Sequence, residues 1–229
     1  MTALEAVLAD LKIVSPDLVV QGGDLVGGGS RPAEVIDTVR DLEWPGVYGN
    51  ADEMLWMPER LSEMVPGAQF QRMRDGLLTD VIPSTCAAIG PQRLDWLRQL
   101  PRTWSHEGVI VMHAGPDDVW RSPGAAATDE DLERTYGSLG HRVVVYGHIH
   151  HPYVRRLPAC TVVNSGCLTM SYDGDPRASY VVIDDAADVE IRRVAYDIEE
   201  EIRRLFEIRY PDAEWVAEMM RIGRPLPPP

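Results

Sequence analysis

The chain is short of positive charge. It carries 22 Lys and Arg against 36 Asp and Glu, a formal net charge of −14, and no block clusters the basic residues. A broad nucleic-acid surface needs such a block. The net charge also opposes non-specific contact with DNA or membrane. An anionic substrate stays open where metal ions supply local positive charge. No apolar run approaches membrane-spanning length. Cysteine is scarce: Cys86, Cys160 and Cys167 are odd in number and widely spaced. That gives no disulfide framework and no zinc-knuckle pattern, and leaves small buried or half-buried thiols. The first residues, MTALEAVLADL, lack the basic start of a secretion signal, so the expected location is the cytosol. Internal repeats and low-complexity linkers are absent. The 229 residues suffice for one well-buried domain, 1–229. Only its end, 223–229, reads as a loose tail, because RPLPPP has little apolar surface to bury.

What is present alternates. Leu4, Val7, Leu8 and Leu11 recur at helical spacing and predict a helix over 2–13. DLVVQGGD then reads as a short buried strand ending in a glycine turn, RPAEVIDTVRDL as a helix, and WPGVYGNAD as a second short strand. DEMLWMPERLSEM reads as helical. Residues 67–90 have no clear period. PQRLDWLRQL is a helix with proline at its start. GVIVMHAGP and RVVVYGHIHHP are two further apolar strands, separated by a helix for which Thr128 is the N-cap, with Asp131 three residues on. Later the pattern shortens to the strands YVRRL, CTVVNSG, SYVVID and VEIRRVAY. Helical patterns return near 197–207 and 211–221. Strand–helix alternation predicts a mostly parallel sheet covered by helices. The later strands predict antiparallel additions and a second sheet packed on the first.

Four of the apolar strands end alike, in a tight turn bearing a ligand-type side chain. These are Asp24 in GGD, Asn50 in GNAD, His113 in MHAG, and His148 with His150 in GHIH. In open α/β sheets, sites form beyond the carboxyl ends of strands, so these residues can converge. One carboxylate, one amide and three imidazoles suit Mn²⁺, Fe, Zn²⁺ or a similar ion, and not a thiolate site. Each triplet alone is weak. GHIHHP is the strongest, because it holds three of the chain's six histidines, and imidazoles are costly to bury together without a partner. His151 reads as a solvated neighbour. His106 and His141 flank strand starts and read as surface residues.

The ordered set GD, GN, H, GHxH, each element after an apolar strand, resembles the calcineurin-like metallophosphoesterase family, in particular its small bacterial phosphodiesterases. ALEAVLADL, RLDWLRQLP and DGDPRASY extend the resemblance over nearly the whole chain. It implies a four-layer α/β/β/α sandwich of two mixed β-sheets flanked by helices. It also implies two divalent ions (Mn, Fe, Zn or Ni) and hydrolysis of small phosphodiesters or nucleotides by a metal-activated water. By position, Asp24 would bridge the two metals, Asn50, His113 and His148 would hold the second, and His150 the first. Asp24, Asn50 and His113 are thus the expected catalytic set.

The match has departures. The family's opening strand with Asp-x-His is missing, since the chain starts in the helix; Glu5 and Asp10 there read as a solvated face. The missing strand favours a true start upstream of Met1, the alternative being a degenerate, non-catalytic binding protein. Ala51 stands where many relatives place a histidine beside the leaving group, which favours substrates with good leaving groups. Asp52 is a candidate for orienting a ligand histidine. NSGCL replaces the usual Asn-Pro-Gly-Ser. Arg121 reads as a surface arginine with an open role near phosphate.

Overall fold

Val143 to Tyr146 form a strand buried at every position, VVVY, and its side chains part by alternation. Val143 and Val145 enter one apolar cluster with Val111 and Val163. Val144 and Tyr146 enter another with Ile110, Met112, Leu132 and Tyr136. Each such buried side chain contributes roughly 1.5–3 kcal/mol. In this computed structural model, which describes residues 1–228, that strand is the centre of the main sheet. The strands are β1 (Thr103–His106), β2 (Val109–Met112), β3 (Val143–Tyr146), β4 (Tyr153–Arg156) and β5 (Thr161–Asn164), ordered β1-β2-β3-β5-β4. β2, β3 and β5 run parallel, and β1 and β4 close the edges antiparallel. The sheet is therefore mixed. A second sheet is one antiparallel pair, β6 (Ala178–Ile183) with β7 (Val189–Val194). It is antiparallel, not mixed.

The helices are α1 (Thr2–Val14), α2 (Pro32–Asp41), α3 (Asn50–Glu53), α4 (Arg60–Met64), α5 (Gln71–Gly76), α6 (Ile82–Gln99), α7 (Asp129–Tyr136), α8 (Ile198–Glu207) and α9 (Ala213–Ile222). The clusters order the layers. Leu132 and Tyr136 of α7 cover one face of the main sheet, and Val181, Ile183 and Val189 of the β6–β7 pair cover the other. Ala3 and Val7 of α1 pack behind that pair, against Ala178, Tyr180 and Val194. Asp10 is not a solvated residue there. It accepts from Tyr180 Oη at 2.5 Å and Arg192 Nε at 3.0 Å. No helix among the described residues is long and apolar enough to cross a membrane.

Several predicted elements change. The two expected strands before Asp24 and Asn50 reduce to one parallel bridge, Gln21 to Gly46. Pro45 has no N–H to extend the ladder, and the Gln21 side chain occupies the Val47 carbonyl at 2.9 Å. The helix expected over 52–64 breaks between α3 and α4, where Pro58 stands. Residues 67–90 are mostly helical, including a π-helical turn at Leu77–Val81. Gly90, at φ 72° and ψ 169°, breaks α6 and Pro91 restarts it. Thr128 caps α7 with Asp131 as a reciprocal box. In the 223–229 segment, the Pro227 carbonyl accepts from Trp215 Nε1 at 2.8 Å and Leu226 packs on the α8–α9 cluster. Residue 229 lies outside the described residues.

Candidate metal centre

Asp24, His148 and His150 all have left-handed backbone, φ 55°, 58° and 54°. For residues other than glycine that conformation is uncommon and gathers at functional turns. The turns let the chain leave an apolar segment and present a side chain at once. Gly49 makes the closest approach possible. A Cβ there would stand 2.1 Å from Asp24 Oδ1 and 2.7 Å from His113 Nδ1.

Four of the five predicted residues converge. Asn50 Oδ1 lies 3.0 Å from His113 Nε2 and 2.8 Å from His148 Nδ1. His113 Nε2 lies 3.3 Å from Asp24 Oδ2. Asp24 Oδ1 also accepts the Ala51 N–H at 2.7 Å. Donors ~2.1 Å from one cation, at angles of ~90–109°, stand ~3.0–3.4 Å apart. The spacing fits a single divalent ion within these four side chains. The amide is what joins the set: no group of three or more His, Cys, Asp and Glu that could hold a metal occurs among the described residues.

The imidazoles are oriented from behind by main-chain carbonyls. His113 Nδ1 lies 2.9 Å from Gly22 O, and His150 Nδ1 2.7 Å from Met170 O. Such bonds place the proton on the far nitrogen and leave a lone pair for an ion. Burial, together with the neighbouring His113, pushes His148 down to about 4, so it is neutral at neutral pH. Burial opposes charge on His113, but the Asp24 carboxylate raises it; the same pairing lowers Asp24 against its burial.

His150 is different. Its Nδ1 is held by Met170, its ring lies 4.8 Å from the Tyr172 ring, and the Cys167 sulfur acts on its charge. Burial works against the charged imidazole, but the Cys167 sulfur outweighs it and raises His150 to about 9; Cys167 falls to about 6 against its own burial. Sequence reasoning missed this pair. The one available signal was cysteine in NSGCL. Asn164, fully buried, brings the segments together by donating to Gly147 O at 2.5 Å and accepting from Gly166 N at 3.0 Å.

Asp52 does not orient a histidine. Its carboxylate accepts the Asp24 and Gly49 N–H groups at 2.8 and 2.9 Å and that of Val26 at 3.2 Å. It staples the GGD and GN turns together. Burial and the Asp24 charge push it up to about 7. His151 is half-buried, His106 and Arg121 are exposed, and His141 Nδ1 bonds Leu139 O at 2.8 Å. A surface cavity of about 410 Å³ lies elsewhere, by Arg72, Phe206 and Trp215, and holds none of the donors.

A model of the calcineurin-like phosphoesterase superfamily domain matches residues 1–188. An uncharacterized protein of Methanocaldococcus jannaschii is 28% identical over 246 residues, covering 98% of this chain and 94% of its own. A probable cyclic nucleotide phosphodiesterase of Synechococcus is 26% identical over 185 residues, covering 73% and 71%. The crystal structure of a metallophosphoesterase from Sphaerobacter thermophilus superposes with a TM-score of 0.78 at 23% identity, covering 97% and 94%.

Proposed function

The chain belongs to the calcineurin-like phosphoesterase superfamily, and we propose that it is a metal-dependent phosphoesterase acting on small phosphodiesters or nucleotides. The observation that carries this reading is the convergence of Asp24, Asn50, His113 and His148 at cation spacing. These four would hold one divalent ion (Mn, Fe, Zn or Ni), and His150 with Asp24 would serve a second. Bound there, such ions supply Lewis-acid polarisation of phosphoryl oxygens and make water acidic enough to attack phosphorus.

The chain's own side chains set the rest. Gly22 and Met170 carbonyls hold the protons of His113 and His150 away from the donor faces. Asp24 is kept ionised by His113 and by the Ala51 N–H. Ala51 itself is buried and brings no proton to a leaving group, so substrates must leave as weak bases. Its methyl also packs on Gly27, where a Cβ would stand 2.6 Å away. The Synechococcus relative supports a diester, and the net charge of −14 supports a small substrate over a nucleic-acid polymer.

The test is hydrolysis of bis(p-nitrophenyl) phosphate by protein loaded with Mn²⁺, with metal counted per chain. Turnover that chelation stops and Mn²⁺ restores is expected. A metal-loaded protein that cleaves no phosphoester overturns the reading.

A further inference from the structure

From His113 the chain passes into one short loop, 114–123. The loop folds on itself: Gly115 N–H bonds Asp118 O at 2.9 Å, and Asp118 Oδ1 accepts the Trp120 N–H at 2.8 Å. It is too tight for a side chain at Gly115, where a Cβ would stand 2.7 Å from Arg121 O. Trp120 carries the middle of the loop into the apolar cluster of Val26, Ala51 and Leu55. Its Nε1–H donates there to the buried Glu53 carboxylate at 2.5 Å. Val26 and Ala51 follow closely on Asp24 and Asn50, so the loop lies against the turns that carry two of the donors.

Two tyrosine hydroxyls fix the ends of this loop. Tyr136 Oη–H, from α7, donates to Ala114 O at 3.0 Å. Tyr146 Oη–H, from β3, donates to Pro123 O at 3.1 Å and is bonded in turn by the Tyr153 hydroxyl. Both donors are fully buried, with ring centroids 5.3 Å apart. A buried hydroxyl costs free energy unless it is bonded, and each of these is bonded to a loop carbonyl. The two ends are not equivalent. Ala114 adjoins His113 and lies past the end of β2. Tyr146 is held in register with Asn164 of β5, so its own backbone does not depend on its hydroxyl, and Pro123 is at the far end of the loop.

We infer that the two hydroxyls are positioning groups with separate tasks: Tyr136 holds the His113 end of the loop, and with it the donor set, while Tyr146 holds the far end, and with it the surface beside the donors that meets the substrate. The second task rests on the phosphoesterase reading. The first needs only a metal.

Tyr136→Phe and Tyr146→Phe each strip one buried hydroxyl and should lower the melting temperature alike. Their other effects should diverge. Tyr136→Phe should weaken Zn²⁺ binding ~10-fold by calorimetry, the scale of one lost buried bond. Tyr146→Phe should leave Zn²⁺ affinity unchanged and raise KM for bis(p-nitrophenyl) phosphate ~10-fold at constant kcat with Mn²⁺. Amide exchange in metal-free protein reads the links themselves: Gly115 N–H should exchange faster in Tyr136→Phe, and Trp120 N–H in Tyr146→Phe. Equal losses in the two variants, or no change in affinity and KM, overturn the inference whatever the melting temperatures do. If Tyr136→Phe does not fold, Tyr146→Phe decides, by a KM rise at unchanged Zn²⁺ affinity. If the unaltered protein binds no Zn²⁺ or cleaves no diester, the functional reading fails and amide exchange alone decides the positioning.

Discussion

His148 and His150 are two residues apart, share a left-handed backbone, and end with opposite surroundings. The arm containing His148 converges: Asn50 Oδ1 collects His113 Nε2 and His148 Nδ1 within 3.0 Å. The arm containing His150 is engaged by the 165–172 segment, through Met170 O, Tyr172 and Cys167. A histidine's place in a motif brings it to the site, while its neighbours decide what its nitrogens do there. An amide oxygen beside His148 gathers donors; a thiol beside His150 competes for them.

Breaking the convergent arm should have the largest effect. Asn50→Ala removes the shared oxygen, and phosphodiester turnover with Mn²⁺ should fall by more than ~100-fold, since even indirect partners of ligands cost 10–100-fold. Melting temperature should barely move, which a thermal scan checks. Gly49→Ala attacks the same arm sterically, with a Cβ 2.1 Å from Asp24 Oδ1. We expect a loss of roughly 1–3 kcal/mol in stability, read by urea unfolding, together with weaker metal binding.

Glu201 supports the convergent arm from a distance. It accepts Ser30 N–H and Oγ–H at 2.8 and 2.7 Å, pinning the loop after Asp24, and Thr2 Oγ–H at 2.6 Å. Burial opposes its charge, but the Met1 ammonium and the Thr2 and Ser30 donors bring it from 4.5 down to about 2. The unfolded chain therefore binds this proton more tightly than the folded one. The stabilisation, on the order of 3 kcal/mol, is full above pH 4.5 and lost as pH falls toward 2. Glu201→Gln should flatten that acid limb in urea midpoints measured between pH 2 and 6. The smallest effect is expected at the other arm. Cys167→Ser should leave affinity for the first equivalent of metal unchanged, and should abolish iodoacetamide labelling at neutral pH, because burial raises the Cys86 and Cys160 thiols while His150 lowers that of Cys167.

The donors were legible because each follows an apolar run and a tight turn, a pattern visible in one dimension. The two apolar runs before Asp24 and Asn50 nevertheless form only a single bridge. Pro45 lacks a donor and Gln21 spends its amide on a neighbouring carbonyl, and neither fact registers as hydrophobicity. The helical character of 67–90 was hidden by partial exposure on several sides, which erases the period. The roles of Asp52, Glu53 and Glu201 were illegible for one shared reason. Their charges are satisfied by main-chain N–H groups or by side chains distant in sequence, such as Trp120 and Ser30. Buried charge on a polar-looking helix leaves no local signature.

The left-handed turns at Asp24, His148 and His150 carry one more consequence, for how such a centre can drift. A β-branched residue is strained there, whereas Asn, Asp, His and Gly are tolerated. A library randomised at these three positions and sorted for folding alone would already be enriched in oxygen- and nitrogen-bearing side chains. The backbone narrows the alphabet to chemically useful letters before any selection on chemistry acts.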